Sequence, residues 1–151
     1  MNDKSEPNIG HLLKHFCAQV GKNPLLVQGA GGNASWKDNN KLWIKASGTW
    51  LVDSQKKDIF VSVDLNHLQQ ELLNNNFSAI PKVIGDSNLK PSIETLLHAL
   101  MPHKVVVHLH AIEILSYLVR FNPEIILNKL INDSIRWSYV EYFKPGEELA
   151  K

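Results

Sequence analysis

Residues 105–110 read Val-Val-Val-His-Leu-His, a short run that opens with three β-branched side chains and follows Pro102. β-branched residues favour strands, so this run predicts a strand from Val105 to His110. Residues two apart in a strand share a face, with Cα atoms roughly 6.5–7 Å apart, so we expect the side chains of His108 and His110 to lean together. Two imidazoles can bind one ion at about 2.0–2.1 Å, but two ligands are too few for a zinc site. The alternative is two ordinary polar residues where a strand leaves the core.

Helical and strand-like segments alternate along the rest of the chain. Helices are predicted over residues 9–20, 65–73, 91–101, 111–120 and 124–131. Strands are predicted on both sides of the turn Asp38-Asn39-Asn40, and over residues 59–63 and 136–143. The polar residues 74–90 are predicted to form a surface loop. Interleaved strands and helices indicate an α/β or α+β fold in which helices cover a sheet.

Glu94 is the candidate for a further metal ligand or for a proton-transfer group. It follows Pro91-Ser92-Ile93 and is predicted to lie in the first turn of a helix, where the helix dipole favours an ionised carboxylate. The alternative is a charge that only stabilises the helix. His98, one turn further along, is either a partner of Glu94 or a histidine packed inside the helix interface.

Three segments of small residues are candidates for binding an anion. They are Gly29-Ala30-Gly31-Gly32-Asn33-Ala34-Ser35, Ala46-Ser47-Gly48-Thr49 and the predicted helix start at Ser92. Backbone N–H groups at such turns, and a hydroxyl at a helix N-terminus, can converge on a phosphate. The first segment is neither a P-loop, which needs Gly-Lys-Ser/Thr, nor a G-x-G-x-x-G turn. Taken alone, each segment is equally a plain tight connection.

The composition argues against several classes of protein. With 16 Lys+Arg and 15 Asp+Glu the net charge is +1, whereas nucleic-acid-binding proteins normally carry a basic surplus. The first seven residues, MNDKSEP, carry both signs of charge, unlike a secretion signal, and no apolar run approaches the ~20 residues that cross a bilayer. The single cysteine, Cys17, lies in an apolar helical pattern and is predicted to be buried. We expect one cytoplasmic domain over residues 1–151, with no nucleic-acid or membrane partner.

Four motifs, in this order, resemble those of the class II aldolase/adducin family, which includes fuculose-phosphate aldolase. They are Gly32-Asn33-Ala34-Ser35, Lys45-Ala46-Ser47-Gly48-Thr49, Pro91-Ser92-Ile93-Glu94-Thr95-Leu96-Leu97-His98 and Val107-His108-Leu109-His110-Ala111. Tyr142-Phe143-Lys144-Pro145-Gly146 is similar to the family's strand-to-Pro-Gly segment, so the resemblance spans residues 9–150. It implies the class II aldolase-like three-layer α/β fold, with a central mixed, largely antiparallel sheet and helices on both faces. It also implies a homotetramer with active sites at subunit contacts.

The resemblance further implies roles for individual residues. His108 and His110 match metal-binding histidines, with Zn²⁺ or another divalent metal as the ion. Glu94 matches the acid that moves the substrate proton and that also touches the metal. The phosphate-binding positions of the family are matched by Gly32, Asn33, Ser47, Gly48 and Ser92.

The implied function is that of a metal-dependent aldolase-type lyase acting on a small sugar or sugar phosphate. Such an enzyme cleaves or forms a C–C bond through a metal-stabilised enediolate. The cation is a Lewis acid, the carboxylate shuttles a proton, and the held phosphate fixes the position of the sugar. The alternatives are a non-catalytic interaction domain, as in adducin, and an epimerase or dehydratase of the same family.

Two positions depart from the family pattern. Ile93 stands where the sugar-phosphate aldolases typically carry a second serine, which weakens the expectation of a phosphorylated substrate. Family members also supply a third metal histidine after the Pro-Gly segment, whereas this sequence has no histidine after His110. We therefore expect the sequence to be a C-terminally truncated piece of a longer protein, and the alternative is an incomplete metal site.

Overall fold

The structure is a computed structural model that describes residues 8–151. The first seven residues, which argue against a secretion signal, lie outside the described residues. The strands are β1 (Asn33–Asp38), β2 (Lys41–Lys45), β3 (Phe60–Asp64) and β4 (Val105–His108). The helices are α1 (Ile9–Val20), α2 (Leu65–Leu73), α3 (Thr95–Leu100), α4 (Ile112–Leu118), α5 (Pro123–Leu130) and α6 (Glu147–Ala150), with a 3-10 helix at Leu51–Asp53. Within residues 8–151, no helix combines the length and the apolar character needed to cross a bilayer.

The four strands form one sheet in the order β3-β2-β1-β4, and every neighbouring pair is antiparallel. The prediction of a largely antiparallel sheet accompanied by helices is confirmed. The sheet is not mixed, because none of the described strands pairs in parallel. The predicted hairpin joins β1 to β2, and Asn39 at its tip has a φ of +50°, a value that asparagine tolerates better than most residues.

Side chains alternate between the two faces of each strand, and this alternation separates the core into two clusters. The first contains strand residues of β2 and β3 together with residues of α2, α3 and α6, among them Leu42, Ile44, Val61, Val63, Leu68, Leu96 and Ala150. The second contains strand residues of β1 and β3 together with residues of α1, among them Ala34, Trp36, Phe60, Leu13 and Cys17. Helices therefore contribute to both clusters, while the three-layer arrangement stays a prediction.

Aromatic side chains fix the register of the hairpin. Trp36 and Trp43 lie directly opposite each other in the β1–β2 pair, and their rings stack with centroids 5.4 Å apart. Phe60 meets Trp36 edge-on at 5.0 Å. A Cβ on Gly10 would lie 2.8 Å from the Trp36 ring, so α1 packs on this cluster at a distance that only glycine permits. A slip of one residue would separate the two indoles, and the stack therefore resists it.

Helix α3 begins later than the sequence predicts, at Thr95 rather than at Pro91. The cause is local hydrogen bonding, because the Ser92 hydroxyl accepts from the Glu94 N–H and the Ser92 carbonyl accepts from the Thr95 N–H. These bonds form a turn that precedes the helix. Glu94 is thus the N-cap residue of α3 and does not lie in its first turn.

The strand predicted over residues 136–143 is wrong, because the structure has no regular element there. Its β-branched and aromatic residues have a high strand propensity, but propensity alone does not make a strand without a pairing partner. Within residues 8–151 no strand pairs with this segment, and Tyr142 is 88% exposed.

The remaining predicted elements are confirmed within a few residues. The Asp64 carboxylate accepts a hydrogen bond of 3.0 Å from the His67 N–H and so caps α2. Pro123 is the first residue of α5, where a backbone N–H would have no acceptor within the helix, so its absence removes no helical hydrogen bond. Residues 74–90 form a loop without a helix or strand, in which Val83 makes an isolated bridge to Val63.

The buried thiol supplies a test of the packing of α1. Burial raises the pKa of Cys17 to about 12, although the charge of Lys45 opposes this shift. Because the thiolate is the reactive form, we expect iodoacetamide at pH 8 to alkylate Cys17 at least about 100-fold more slowly in the native chain than in urea. Mass spectrometry of timed samples measures both rates. Similar rates in the two solvents would contradict the burial of Cys17 between α1 and the sheet.

Candidate active site

Asn33, Glu94 and His108 meet where β1 begins and β4 ends. The β1–β4 register places Asn33 directly opposite His108, and residues opposite each other in an antiparallel pair project from the same face. The Glu94 carboxylate contacts both residues. Its Oε1 lies 2.8 Å from His108 Nδ1, and its Oε2 accepts a hydrogen bond of 3.0 Å from Asn33 Nδ2. The carboxylate is therefore held at both oxygens.

The surroundings of Glu94 keep it ionised. Burial raises the pKa of the carboxyl group, but the hydrogen bonds from His108 and Asn33 and the nearby imidazole charges outweigh burial, so the pKa lies below its ordinary value. The side chain is only 12% exposed to solvent. An ionised carboxylate with a fixed orientation is suited to accept a proton from a ligand that reaches it.

His110 lies beside His108, although the strand predicted to contain both ends at His108. Its backbone N–H donates to the Leu26 carbonyl at 2.9 Å, and its ring meets the His108 ring edge-on with centroids 4.8 Å apart. Gly31 makes this placement possible, because a Cβ there would lie 2.8 Å from His110 Nδ1. Burial, followed by the charge of His108, lowers the pKa of His110, while Glu94 opposes the shift. The lowered pKa favours the neutral imidazole, which is the form that binds metals.

The residues of this site fit a divalent metal by the chemistry of their donors. Glu94 occupies Nδ1 of His108, which leaves Nε2 to bind an ion, as in carboxylate–histidine–metal triads. His110 supplies a second imidazole, whereas the Glu94 carboxylate is engaged with His108 and Asn33 and would have to leave one of them to bind an ion itself. Among the described residues, no three His, Cys, Asp or Glu side chains are arranged to hold an ion together. Direct ligation by Glu94, His108 and His110 therefore stays a prediction.

Two of the predicted phosphate-binding residues contact Glu94 directly. The Asn33 side chain donates to the Glu94 carboxylate and accepts from the Ala34 N–H at 2.8 Å, so both ends of its amide are engaged. The Ser92 hydroxyl accepts from the Glu94 N–H at 3.2 Å and keeps its own hydrogen for donation. Asn33 thus holds the carboxylate of Glu94, and Ser92 holds its backbone.

The other predicted positions lie in turns joined to this site. Ala46 forms an isolated bridge with Pro91, and the Ser47 N–H donates to the Lys90 carbonyl at 2.9 Å, which places this turn next to Ser92. Gly48 has a φ of +75° and open space around the position of a Cβ. Gly32 has a φ of +70°, and a Cβ there would lie 3.1 Å from the His108 carbonyl oxygen. Contacts therefore connect these positions, and their role in binding phosphate stays a prediction.

The sequence did not reveal that Lys45 is a buried link between two of these turns. Its Nζ donates to the Thr49 carbonyl at 2.7 Å and to the Ala30 carbonyl at 3.1 Å, and the residue is only 3% exposed. Burial lowers the pKa of this ammonium group, while Glu94 and Cys17 oppose the shift. A lysine at the end of a strand ordinarily reaches solvent, so no pattern in the sequence indicates this link.

A second polar pair, Ser35 and His98, lies under the site. Sequence analysis left His98 as either a partner of Glu94 or a packed histidine, and the structure places its ring in the interior at 1% exposure, 2.7 Å from Ser35 Oγ. Burial lowers the pKa of His98 to about 4, with a smaller opposing effect from Glu94. A serine in a strand carries no signal of such a contact, and Ser35 was identified only as part of a motif.

Comparisons with known proteins give a family match over most of the chain and two solved structures of the same fold. The family model for the Class II Aldolase and Adducin N-terminal domain matches residues 13–151. The N-terminal class II aldolase domain of a conserved protein from Thermoplasma acidophilum superposes with a TM-score of 0.78 at 24% identity, over 99% of this chain and 76% of that one. YgbL from Klebsiella pneumoniae, a candidate aldolase/epimerase/decarboxylase, superposes with a TM-score of 0.51 at 20% identity, over 75% of this chain and 51% of that one. These two likenesses establish the fold alone.

A curated relative is similar over a much smaller part of its own length. The uncharacterized oxidoreductase YuxG of Bacillus subtilis (strain 168) is 28% identical over 148 residues, which are 87% of this chain and 21% of YuxG. The chain thus spans about a fifth of this curated relative. The family match covers nearly the whole chain, and the chain belongs to the class II aldolase and adducin N-terminal domain family.

Proposed function

We propose that this domain carries the metal-binding and proton-transfer groups of a metal-dependent aldolase-type lyase that acts on a small sugar or sugar phosphate. The observation that carries the proposal is the Glu94 carboxylate, held between Asn33 and His108 with a second imidazole, His110, alongside. A scaffold has no need of an ionised, partly buried carboxylate beside two imidazoles, because burying such polar groups costs stability. Membership of the aldolase and adducin family supports the same reading.

In this proposal His108, through Nε2, and His110 hold a divalent cation such as Zn²⁺. When bound, the cation supplies Lewis-acid stabilisation of the negative charge that develops on the substrate. The hydrogen bond from His108 Nδ1 to Glu94 fixes which ring nitrogen is protonated and orients the imidazole.

Glu94 moves the proton. Its lowered pKa keeps the carboxylate ionised and therefore able to accept a proton from the substrate. The same carboxyl group returns the proton later in the reaction. The bond from Asn33 and the contact with His108 prevent the carboxylate from rotating away. Because efficiency depends on placement before pKa, this orientation is the main contribution of the two neighbours.

The substrate anion is bound by the turns around Gly32, Ser47, Gly48 and Ser92. The Asn33 amide is engaged with Glu94 and Ala34, so binding there relies on backbone N–H groups and on the hydroxyl hydrogens of Ser47 and Ser92. Ile93 contributes no hydroxyl, and the unphosphorylated sugar therefore stands beside the sugar phosphate as a candidate substrate.

Two other activities are candidates. A non-catalytic, adducin-like interaction domain is favoured by one observation, that no three-residue metal cluster exists among residues 8–151. An epimerase or a dehydratase would use the same groups, since both also need a polarised carbonyl and a placed base.

We also propose that the domain assembles into a homo-oligomer, a tetramer by family resemblance, in the cytoplasm. Support comes from apolar side chains that face solvent in the C-terminal third. Val119 is 84% and Phe121 94% exposed, and α4 has no buried residue. Such exposure is unusual for a monomer and is typical of a surface that another subunit covers.

Metal binding is the first test. We expect the chain to bind Co²⁺, a spectroscopic substitute for Zn²⁺. His108→Ala and His110→Ala each remove a proposed ligand, so each should weaken binding by more than the roughly 10–100-fold that follows loss of a residue that only orients a ligand. Visible absorption during a Co²⁺ titration measures the affinity. His103→Ala, which removes an exposed loop histidine, is the matched control and should bind as tightly as the parent chain. Equal affinity in all four proteins would remove the proposed metal site.

Proton transfer by Glu94 is tested by catalysis. With divalent metal present, we expect Glu94→Gln to lower kcat for aldol cleavage by about 10²–10⁴-fold, because amide nitrogen and oxygen cannot accept the proton. Release of aldehyde from a panel of sugar phosphates and the matching sugars measures the rate. Glu113→Gln, at an exposed position in the first turn of α4, should retain full activity. A parent chain that binds metal but cleaves no member of the panel would favour the interaction domain instead.

A further inference from the structure

Ser35 and His98 form a hydrogen bond that is sealed inside the domain. Ser35 Oγ and His98 Nδ1 lie 2.7 Å apart, and each residue is only 1% exposed. Neither side chain reaches the surface of the site, so neither can touch a substrate. A buried polar pair of this kind stabilises a structure little in net terms, but it is costly to break.

Like the contact between Asn33 and Glu94, this hydrogen bond joins β1 to the N-terminal part of α3. Ser35 follows Asn33 by two residues on β1, and His98 follows Glu94 by four residues in α3. Two residues of a strand span roughly 6.6 Å, and four residues of a helix span about 6.0 Å, so the two spacings match. The strand and the start of the helix are therefore joined by two polar contacts of similar separation.

The sheet register places both contacts on one face. Asn33 lies opposite His108, and Ser35 lies opposite Val106 in the same β1–β4 pair. The alternation of a strand puts Asn33 and Ser35 on the same side, which α3 covers. The Ser35–His98 bond thus sets the distance between α3 and β1 at a point one helical turn C-terminal to Glu94.

An apolar residue in place of His98 would fill the same space but would not fix the orientation of α3 relative to β1. Leu96 and Ala99, the buried neighbours of His98 on α3, pack into the apolar cluster and have no hydrogen bond to orient them. The imidazole adds a contact of defined length and direction. Burial lowers the pKa of His98 to about 4 and so keeps its ring neutral near pH 7.

We infer that Ser35 and His98 are positioning residues that anchor the start of α3 on β1 and thereby hold the Glu94 carboxylate against Asn33 and His108. This inference rests on the proposed function for its catalytic meaning, because the position of Glu94 matters to catalysis only if Glu94 transfers the proton. The contact that it explains, between Glu94 Oε1 and His108 Nδ1, is measurable in the chain alone.

The test observes the proton on His108 Nδ1. In the metal-free chain, ¹H–¹⁵N NMR of the imidazole groups should detect this proton, protected from exchange with water by Glu94. In Ser35→Ala we expect exchange to become faster by about tenfold, the factor that corresponds to loss of one hydrogen bond of ordinary strength. Ser35→Thr keeps the hydroxyl on a residue suited to strands and should restore the protection.

A matched control separates positioning from stability. Ser62→Ala removes another buried serine hydroxyl, one that donates to the Ile84 carbonyl at 3.0 Å on β3, two strands away from β1. It should lower the thermal stability as Ser35→Ala does and leave the His108 proton unchanged. If Ser35→Ala does not fold, Ser35→Cys takes its place, because a thiol of similar size is only a weak hydrogen-bond partner for His98 Nδ1, and it should accelerate the exchange in the same direction. Unchanged exchange in Ser35→Ala, or equal acceleration in Ser62→Ala, would overturn the inference.

The experiment distinguishes a failure of the proposed function from a failure of this inference. The NMR measurement needs neither metal nor substrate, so a chain that binds no Co²⁺ contradicts the proposed function while the proton exchange still decides the positioning role. Where the parent chain binds Co²⁺, we expect Ser35→Ala to weaken binding measurably but by less than the roughly 10–100-fold that follows loss of an outer-shell partner, because Ser35 acts on His108 only through Glu94. Unchanged Co²⁺ affinity in Ser35→Ala, measured against a parent that binds, would also count against the inference.

Discussion

The antiparallel pairing of β1 with β4 is the constraint on which the site depends. Only one register places Asn33 opposite His108 and so brings both side chains to the face that α3 covers. A shift of one residue would turn His108 to the other face, away from Glu94. The chemistry of the site therefore depends on strand pairing.

The core holds β1 and β2 together from both sides of the sheet. On one side, the stacked rings of Trp36 and Trp43 hold β1 to β2. On the other, Leu42 and Ile44 pack beneath the helices that include α3. The buried Lys45 adds a polar link, because its ammonium group binds carbonyls from two separate turns. Apolar packing thus positions the sheet, while a few buried polar groups position the loops.

Local signals in the sequence predicted those parts of the fold that local interactions decide. The turn at Asn39 and the cap at Asp64 are examples, because each depends on residues within three or four positions. The strand expected at residues 136–143 failed for the opposite reason, since a strand exists only through a partner elsewhere in the chain. The start of α3 was misplaced because the Ser92 side chain forms a turn that competes with the helix.

The candidate site divides in the same way. Glu94, His108 and His110 could be identified from the sequence, because a motif consists of residue types with a given chemistry at a given spacing. The links of Lys45 to Ala30 and of Ser35 to His98 could not, because each joins positions that the chain separates by 15 or 63 residues. Long-range hydrogen bonds of this kind leave no periodicity to detect.

The closeness of Gly31 to the His110 ring has a practical consequence for protein engineering. A methyl group at position 31 would fall within van der Waals overlap of that imidazole and of the Gln28 carbonyl, so any larger residue must turn the histidine into another rotamer. A library that randomises this loop would therefore alter the geometry of the histidine pair together with any property of the loop itself. Keeping glycine at position 31 while varying its neighbours would leave the histidine pair as it is.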